Sequence, residues 1–175
     1  MERIAVIGNA GGGKTTMCRK IGAALDIPVH PIDMIQWKAG WERATSEEFT
    51  AAHEAILAED RWIIDGFGPM EAIAKRFALA DTIIVIDYRL AIHYWWSMKR
   101  QIKCLFVPRD DLPDNCPMVP KTGELIRVMW MVHTVLRPQY LALAAQYERE
   151  KRVVVLHSPQ EQKKMIQQIE QGQFT

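Results

Sequence analysis

The sequence predicts an α/β fold in which a parallel sheet lies between two layers of helices. Two observations lead to this prediction. Short, continuously apolar segments of the kind that form buried strands alternate with longer segments of helical composition. A glycine-rich stretch also joins the first apolar segment directly to the first helical one. This alternation favours parallel strands, because parallel neighbours need crossover connections.

Five strands are predicted, over residues 4–7, 28–32, 62–64, 82–86 and 153–156. The second strand leads into Asp33, the third into Asp65 and the fourth into Asp87. Helices are expected over 15–25, 45–57, 91–105, 123–149 and from 158 onward, and the fourth is bent before its proline at 138. Thr45 and Glu48 have capping-box spacing at the start of the second helix.

The composition fits one compact domain over residues 1–175. Hydrophobic residues make up 49% of the chain and charged residues 25%, close to the average for globular proteins. The 22 basic and 21 acidic residues leave no overall positive field, which argues against non-specific DNA binding. The three cysteines have no metal-binding spacing. No signal-like or membrane-spanning segment is found, so we expect a cytoplasmic protein without a membrane partner.

The glycine-rich stretch is the most specific feature of the sequence. Gly8, Gly13, Lys14 and Thr15 satisfy the pattern G-x-x-x-x-G-K-[ST] between a strand and a helix. Glycines allow backbone N–H groups to turn inward onto phosphate oxygens, and the following helix adds its own free N–H groups. The pattern therefore predicts binding of ATP and Mg²⁺, with these nucleotide-binding residues: Gly8, Asn9, Ala10, Gly11, Gly12, Gly13, Lys14, Thr15 and Thr16.

Several segments together resemble the adenylate kinase superfamily of P-loop kinases. They are the phosphate loop, the segment Trp62-Ile63-Ile64-Asp65-Gly66, the region of Lys99 and Arg100, and the last strand. The nearest branch by resemblance is the small kinase-like proteins called DNA topology modulation proteins. That branch shares Ile32-Asp33, Trp37-Lys38-x-Gly40-Trp41 and Asn115-Cys116-Pro117 with this chain.

The resemblance implies a P-loop α/β/α sandwich with five parallel strands. It also implies a helical acceptor-binding insertion over 34–60 and a short mobile lid over 104–121. One position departs from the pattern. Adenylate kinases continue after the Asp65-Gly66-Phe67 equivalent with Pro-Arg, whereas this chain continues with Gly68-Pro69-Met70. The arginine that holds a nucleotide acceptor is therefore missing.

Phosphoryl transfer requires cations that neutralise the moving charge and a group that orients the acceptor. Lys14, Asp33, Arg100 and Arg109 are the candidate catalytic residues, with the two arginines acting from the lid region. Thr15 and Asp65 are the candidate Mg²⁺ ligands, and Asp87 is the alternative to Asp65. Each aspartate could instead be a turn or capping residue, and each arginine a solvated surface charge.

The tryptophans are expected mainly to fill the core or an interface, including Trp95 and Trp96. Trp37 and Trp41 are exceptions, because they flank Gly40 in the predicted insertion and so are candidates to line an acceptor pocket.

The predicted function is transfer of the γ-phosphoryl group of Mg-ATP to a nucleotide, a nucleoside or another small hydroxylated acceptor. Two alternatives remain open. In the first, the chain is a nucleotide-dependent switch or slow NTPase that acts through a protein partner. Direct action on DNA is suggested only by the name of the resembling branch, and the near-neutral charge argues against it.

Overall fold

A computed structural model describes residues 1–107 and 111–174 of the chain. The strands are β1 (Arg3–Gly8), β2 (Val29–Pro31), β3 (Trp37–Lys38), β4 (Glu42–Arg43), β5 (Trp62–Asp65), β6 (Thr82–Ile86) and β7 (Arg152–Leu156). The α-helices are α1 (Lys14–Leu25), α2 (Asp33–Gln36), α3 (Ser46–Leu57), α4 (Met70–Leu79), α5 (Leu90–Lys103), α6 (Thr122–Met131), α7 (Arg137–Ala145) and α8 (Pro159–Glu170).

The central sheet has five parallel strands in the order β2-β5-β1-β6-β7. This arrangement confirms the predicted α/β fold class and the five predicted strands. β1 lies in the middle of the sheet, and its neighbours β5 and β6 carry Asp65 and Asp87 at or just beyond their carboxyl ends. The phosphate loop therefore leaves the sheet between the two aspartates.

The core has two halves, one on each face of the sheet. Successive residues of β1 point to opposite faces, so that Ala5 and Ile7 belong to one half while Ile4 and Val6 belong to the other. Helices α3, α4 and α7 cover the first face, and α1 and α8 cover the second. Burial on both faces explains why the three central strands β1, β5 and β6 have mainly apolar sequences.

The region predicted as a helical insertion is only partly helical. Between α2 and α3 the chain forms a short antiparallel hairpin of β3 and β4, joined by a 3₁₀ turn with Gly40 at φ +75°. The predicted capping box at the start of α3 is confirmed, since Thr45 and Glu48 hydrogen-bond reciprocally through side chain and backbone.

A π-helical turn, Val132–Leu136, connects α6 to α7. This is the place where the sequence predicts a bend, because Pro138 lacks an N–H donor and its ring disfavours a continuous helix. Among the residues that the structure describes, no helix is both long and apolar enough to cross a membrane.

Candidate active site

The glycine-rich loop curls tightly at the end of β1. Gly11 and Gly13 have φ angles of +70° and +73°, a region that side chains disfavour. A Cβ atom at Gly11 would lie 2.3 Å from the backbone oxygen of His93 and 2.4 Å from the hydroxyl of Ser97. The loop is therefore packed directly against α5, and its sequence leaves no room for a side chain at this point.

Three side chains from distant helices or from the loop itself hold this curl. His93 on α5 contacts the backbone oxygen of Ala10 through Nδ1 at 3.0 Å, and a carbonyl can only accept, so Nδ1 carries the hydrogen. Gln162 on α8 donates to the backbone oxygen of Gly12 at 3.2 Å. Asn9 donates to the backbone oxygen of Met129 at 2.8 Å and thereby ties the loop to α6.

His93 is uncharged in this position. It is 1% exposed, and burial is the main cause that lowers its pKa to about 4, with the nearby charge of Lys14 acting in the same direction. The sequence alone did not indicate this role for His93 or Gln162. A single polar residue on a helix belongs to no motif, so the sequence does not show which group it contacts.

Lys14 points back over the loop. Its Nζ donates to the backbone oxygen of Asn9 at 2.9 Å. Burial lowers the pKa of Lys14, the negative charge of Asp65 opposes that change, and the positive charge of Arg100 adds to it. The ammonium group of Lys14 is therefore influenced by charges of both signs, the negative charge of Asp65 and the positive charge of Arg100.

Thr15 and Asp65 form a direct pair across the sheet edge. The hydroxyl of Thr15 donates to one carboxylate oxygen of Asp65 at 2.6 Å. The other oxygen of Asp65 is buried and has no hydrogen-bond partner among the described residues. Burial raises the pKa of Asp65, while Lys14 and the Thr15 hydrogen bond oppose that rise. A hydroxyl and a carboxylate with a spare oxygen are the ligand types that Mg²⁺ prefers, so the pair fits such an ion.

Asp87, the alternative candidate, has other partners. Both of its oxygens accept hydrogen bonds from the guanidinium of Arg137, and the ring of His157 lies 3.6 Å from one of them. The described part of the chain contains no group of three His, Cys, Asp or Glu side chains that could hold a metal. A Mg²⁺ ion held by Thr15 and Asp65 would take its remaining ligands from water or from a bound nucleotide.

The segment after Asp65 is held by Arg76, a buried arginine of α4 that sequence reasoning missed. Its two terminal nitrogens donate to the backbone oxygens of Gly66 at 3.2 Å and Phe67 at 2.6 Å. Burial lowers its pKa to about 10, and the charge of Asp65 opposes this. The only sequence signal is an arginine in the apolar stripe of α4.

A cavity of about 510 Å³ opens over the loop. The predicted site residues that line it are Gly8, Asn9, Ala10, Lys14, Thr15, Asp33, Asp65 and Arg100. They come from the end of β1, the loop, the first turn of α1, α2, β5 and the last turn of α5, so the fold brings together residues far apart in sequence. Thr16 instead is exposed on the first turn of α1. Arg109 lies outside the described residues.

The hairpin forms a second wall of the cavity. Trp37 and Trp41 both line it and meet edge to face, with ring centroids 5.4 Å apart. Trp41 also contacts the segment predicted as the lid. Its backbone N–H donates to the sulfur of Cys116 at 3.4 Å, and its indole N–H donates to the backbone oxygen of Pro117 at 3.0 Å. Two of the three motifs that suggested the narrower family resemblance, those of Trp41 and of Cys116-Pro117, are therefore in contact.

Several solved structures with the same architecture are kinases. A gluconokinase from Sinorhizobium meliloti 1021 matches with a TM-score of 0.58 and 13% identity, over 98% of this chain and 91% of that one. A shikimate kinase from Acinetobacter baumannii, solved with shikimate, matches with a TM-score of 0.58 and 14% identity, over 98% and 92%. This chain has the P-loop kinase fold.

A third structure with this P-loop kinase fold is a sugar kinase from Janibacter sp. HTCC2649, with a TM-score of 0.53 and 11% identity, over 96% of this chain and 91% of that one. No family model and no curated protein matches the sequence. At such low identity the likeness establishes the fold. The narrower resemblance to DNA topology modulation proteins is not confirmed and stays a prediction.

Proposed function

We propose that this protein is an ATP-dependent kinase that transfers the γ-phosphoryl group of Mg-ATP to a hydroxyl of a small acceptor. The proposal rests mainly on one observation. Lys14, the Thr15–Asp65 pair, Asp33 and Arg100 line a single cavity between the phosphate loop and the hairpin. Small-molecule kinases among the solved structures with the same fold support the reaction class.

The residues divide between the two substrates. The loop backbone and the first turn of α1 present N–H groups to the phosphates, and Lys14 exchanges its contact with the Asn9 oxygen for phosphate oxygens. Thr15 and Asp65 would hold Mg²⁺, which would supply positive charge to the phosphate oxygens. Arg100 lies on the same cavity wall and adds positive charge as the bond to the leaving oxygen breaks.

Asp33 serves the acceptor. It begins α2 directly after β2, at the carboxyl edge of the sheet, where ligands bind in open α/β folds. Its carboxylate accepts the proton of the acceptor hydroxyl as the oxygen of that hydroxyl forms the new bond to phosphorus. ADP and the phosphorylated acceptor are the products.

The proposal is tested by ADP release from Mg-ATP in the presence of separate pools of nucleoside monophosphates, nucleosides, and sugars or sugar acids. The kinase proposal predicts that one pool raises ADP release many-fold and that Lys14→Ala abolishes the increase. If the protein binds ATP but no pool stimulates release, the kinase proposal is wrong. The nucleotide-dependent switch is then the better account.

One structural observation favours that second candidate. The hairpin and the 114–117 segment are already joined through Trp41, and Gly40 adds a backbone hydrogen bond to Asp114 at 3.2 Å. If nucleotide binding moved the hairpin and the 114–117 segment together, it would change the surface that they present to a protein partner.

A further inference from the structure

Helix α5 buries three polar side chains and exposes several of its large apolar ones. His93, Ser97 and Gln101 are 1%, 2% and 5% exposed, and the apolar Ile92 and Trp96 are partly buried against the core. Trp95 and Ile102 point outward and are 60% and 59% exposed. A helix on the surface of a globular protein normally buries its apolar stripe. Helix α5 instead leaves large apolar side chains on the outside of the molecule.

The exposed apolar residues continue beyond the end of the helix. We call this set the outer α5 face, and it consists of Trp95, Met98, Ile102, Leu105 and Phe106. Phe106 is 80% exposed and Leu105 is 61% exposed. Trp95, Met98 and Ile102 are spaced three and four residues apart on α5, so they lie on one side of the helix. Exposed apolar patches often mark a binding site.

Charge narrows the choice of what covers this face. Between residues 88 and 107 the sequence has no aspartate or glutamate, although acidic and basic residues are nearly balanced over the whole chain. Lys99 and Lys103 flank the apolar side chains, and the ammonium of Lys99 lies 4.6 Å from the centre of the Trp95 ring. The face is therefore apolar, aromatic and positively charged.

Three kinds of occupant can be compared on this basis. A second copy of the chain that used the same face would bring like charges together. Nucleic acid would match the charge and stack on Trp95, but it offers nothing to aliphatic side chains such as Ile102. An anionic lipid surface matches every component, since tryptophan and phenylalanine enter the interface and lysines reach the headgroups.

We propose that the outer α5 face binds the surface of an anionic lipid bilayer. Binding is peripheral, with the apolar side chains at the level of the headgroups and the two lysines against negative charge. This proposal goes beyond the proposed kinase function, does not depend on it, and replaces the expectation from the sequence that the protein has no membrane partner.

The test is co-sedimentation of the full chain with lipid vesicles. We expect the protein to sediment with vesicles of phosphatidylcholine containing roughly one third phosphatidylglycerol, and to remain in solution with phosphatidylcholine alone. High salt should weaken the binding because the attraction is partly electrostatic. Lys99→Glu combined with Lys103→Glu should lower the affinity for the anionic vesicles at least about tenfold.

The apolar component is tested by Trp95→Ser combined with Ile102→Ser, which should lower the binding by about tenfold or more. Leu79→Ser is the matched control, because Leu79 is 45% exposed but lies on α4. It should bind as the wild type does. Thermal unfolding of each variant separates loss of binding from loss of folding, and exposed side chains should leave the midpoint nearly unchanged.

Two results would overturn the proposal. The first is a folded wild-type protein that sediments with neither type of vesicle. The second is a wild-type protein that forms a dimer in solution, that Trp95→Ser converts to a monomer, and that does not sediment with vesicles as dimer or as monomer. That result would assign the outer α5 face to a second copy of the chain.

Discussion

The hydroxyl of Thr15 donates to a carboxylate oxygen of Asp65 at 2.6 Å, and this hydrogen bond joins the first turn of α1 to the end of β5. It identifies which of the two strand-terminal aspartates faces the phosphate loop. Asp87 is bound by Arg137 instead. The sequence offered both aspartates for Mg²⁺, and the contacts of Asp65 favour it in the proposed mechanism.

Replacement of Asp65 by asparagine should weaken binding of Mg-ATP by about tenfold or more and should change binding of Mg-free ATP much less. Titration calorimetry with and without Mg²⁺ measures the binding. Urea unfolding shows whether the variant stays folded, because Asp65 also offsets the buried positive charges of Lys14 and Arg76. Equal weakening with and without Mg²⁺ would contradict the assignment of Asp65 to the ion.

Substitution of Gly11 by alanine should destabilise the protein by about 2–4 kcal/mol and abolish ATP binding. The added Cβ would lie 2.3 Å from the backbone oxygen of His93, and φ is already +70°. Gly40→Ala is the matched control, since Gly40 has φ +75° but nothing lies within 4 Å of its Cβ position. That variant should lower the free energy of unfolding by only about 1 kcal/mol. Urea unfolding of both variants compares them, and equal costs would show that close packing against α5 is unimportant.

Loss of Arg76 should lower stability although its hydrogen bonds are to backbone oxygens and not to a side chain of the phosphate loop. Arg76→Leu leaves the backbone oxygens of Gly66 and Phe67 without their donor, so we expect a loss of about 2–4 kcal/mol in unfolding free energy. Lys75→Leu, at the neighbouring exposed position, removes a surface ion pair with Glu54 and should cost no more than about 1 kcal/mol. Similar losses in the two variants would argue against a bracing role for Arg76.

Stability should fall as the pH is lowered from about 6.5 toward 4. The pKa of His93 and that of His53 are both lowered to about 4, mainly by burial, whereas in the unfolded chain each is close to 6.5. Between these values the unfolded state binds more protons than the folded state, so acid favours unfolding and the stability is regained above about pH 6.5.

Urea unfolding at a series of pH values measures this dependence. His93→Asn should reduce its slope, because one of the two titrating groups is removed. Its stability at neutral pH should also be lower, because the geometry of the contact with the Ala10 oxygen is lost. A variant with an unchanged slope would contradict burial of a neutral His93 in the folded protein.

The strands and the phosphate loop were predictable because their signals are local. Residues 4–7 form an apolar run that only burial on both faces explains, and the loop motif follows it directly. The hairpin of β3 and β4 was not predicted. Its sequence lacks apolar alternation, and its contacts lie some 75 residues away in Cys116 and Pro117.

The helices show the same limit. His93 and Trp95 lie two residues apart on α5. From the sequence, the tryptophan was predicted to fill the core or an interface, and no role was predicted for the histidine. The structure places His93 under the phosphate loop and Trp95 on the surface. Which face of a helix points inward depends on the elements packed against it, and here a polar backbone loop takes the place of an apolar neighbour.

The most direct test of the kinase proposal follows the γ-phosphoryl group itself. ATP labelled at the γ-phosphate is incubated with the protein and the acceptor pool that most increases ADP release, and the labelled products are separated. We predict label in an organic phosphate, with transfer lost in Asp33→Asn while ATP binding is retained. Label found only in inorganic phosphate, at the same rate with and without acceptor, would contradict the proposed phosphotransferase.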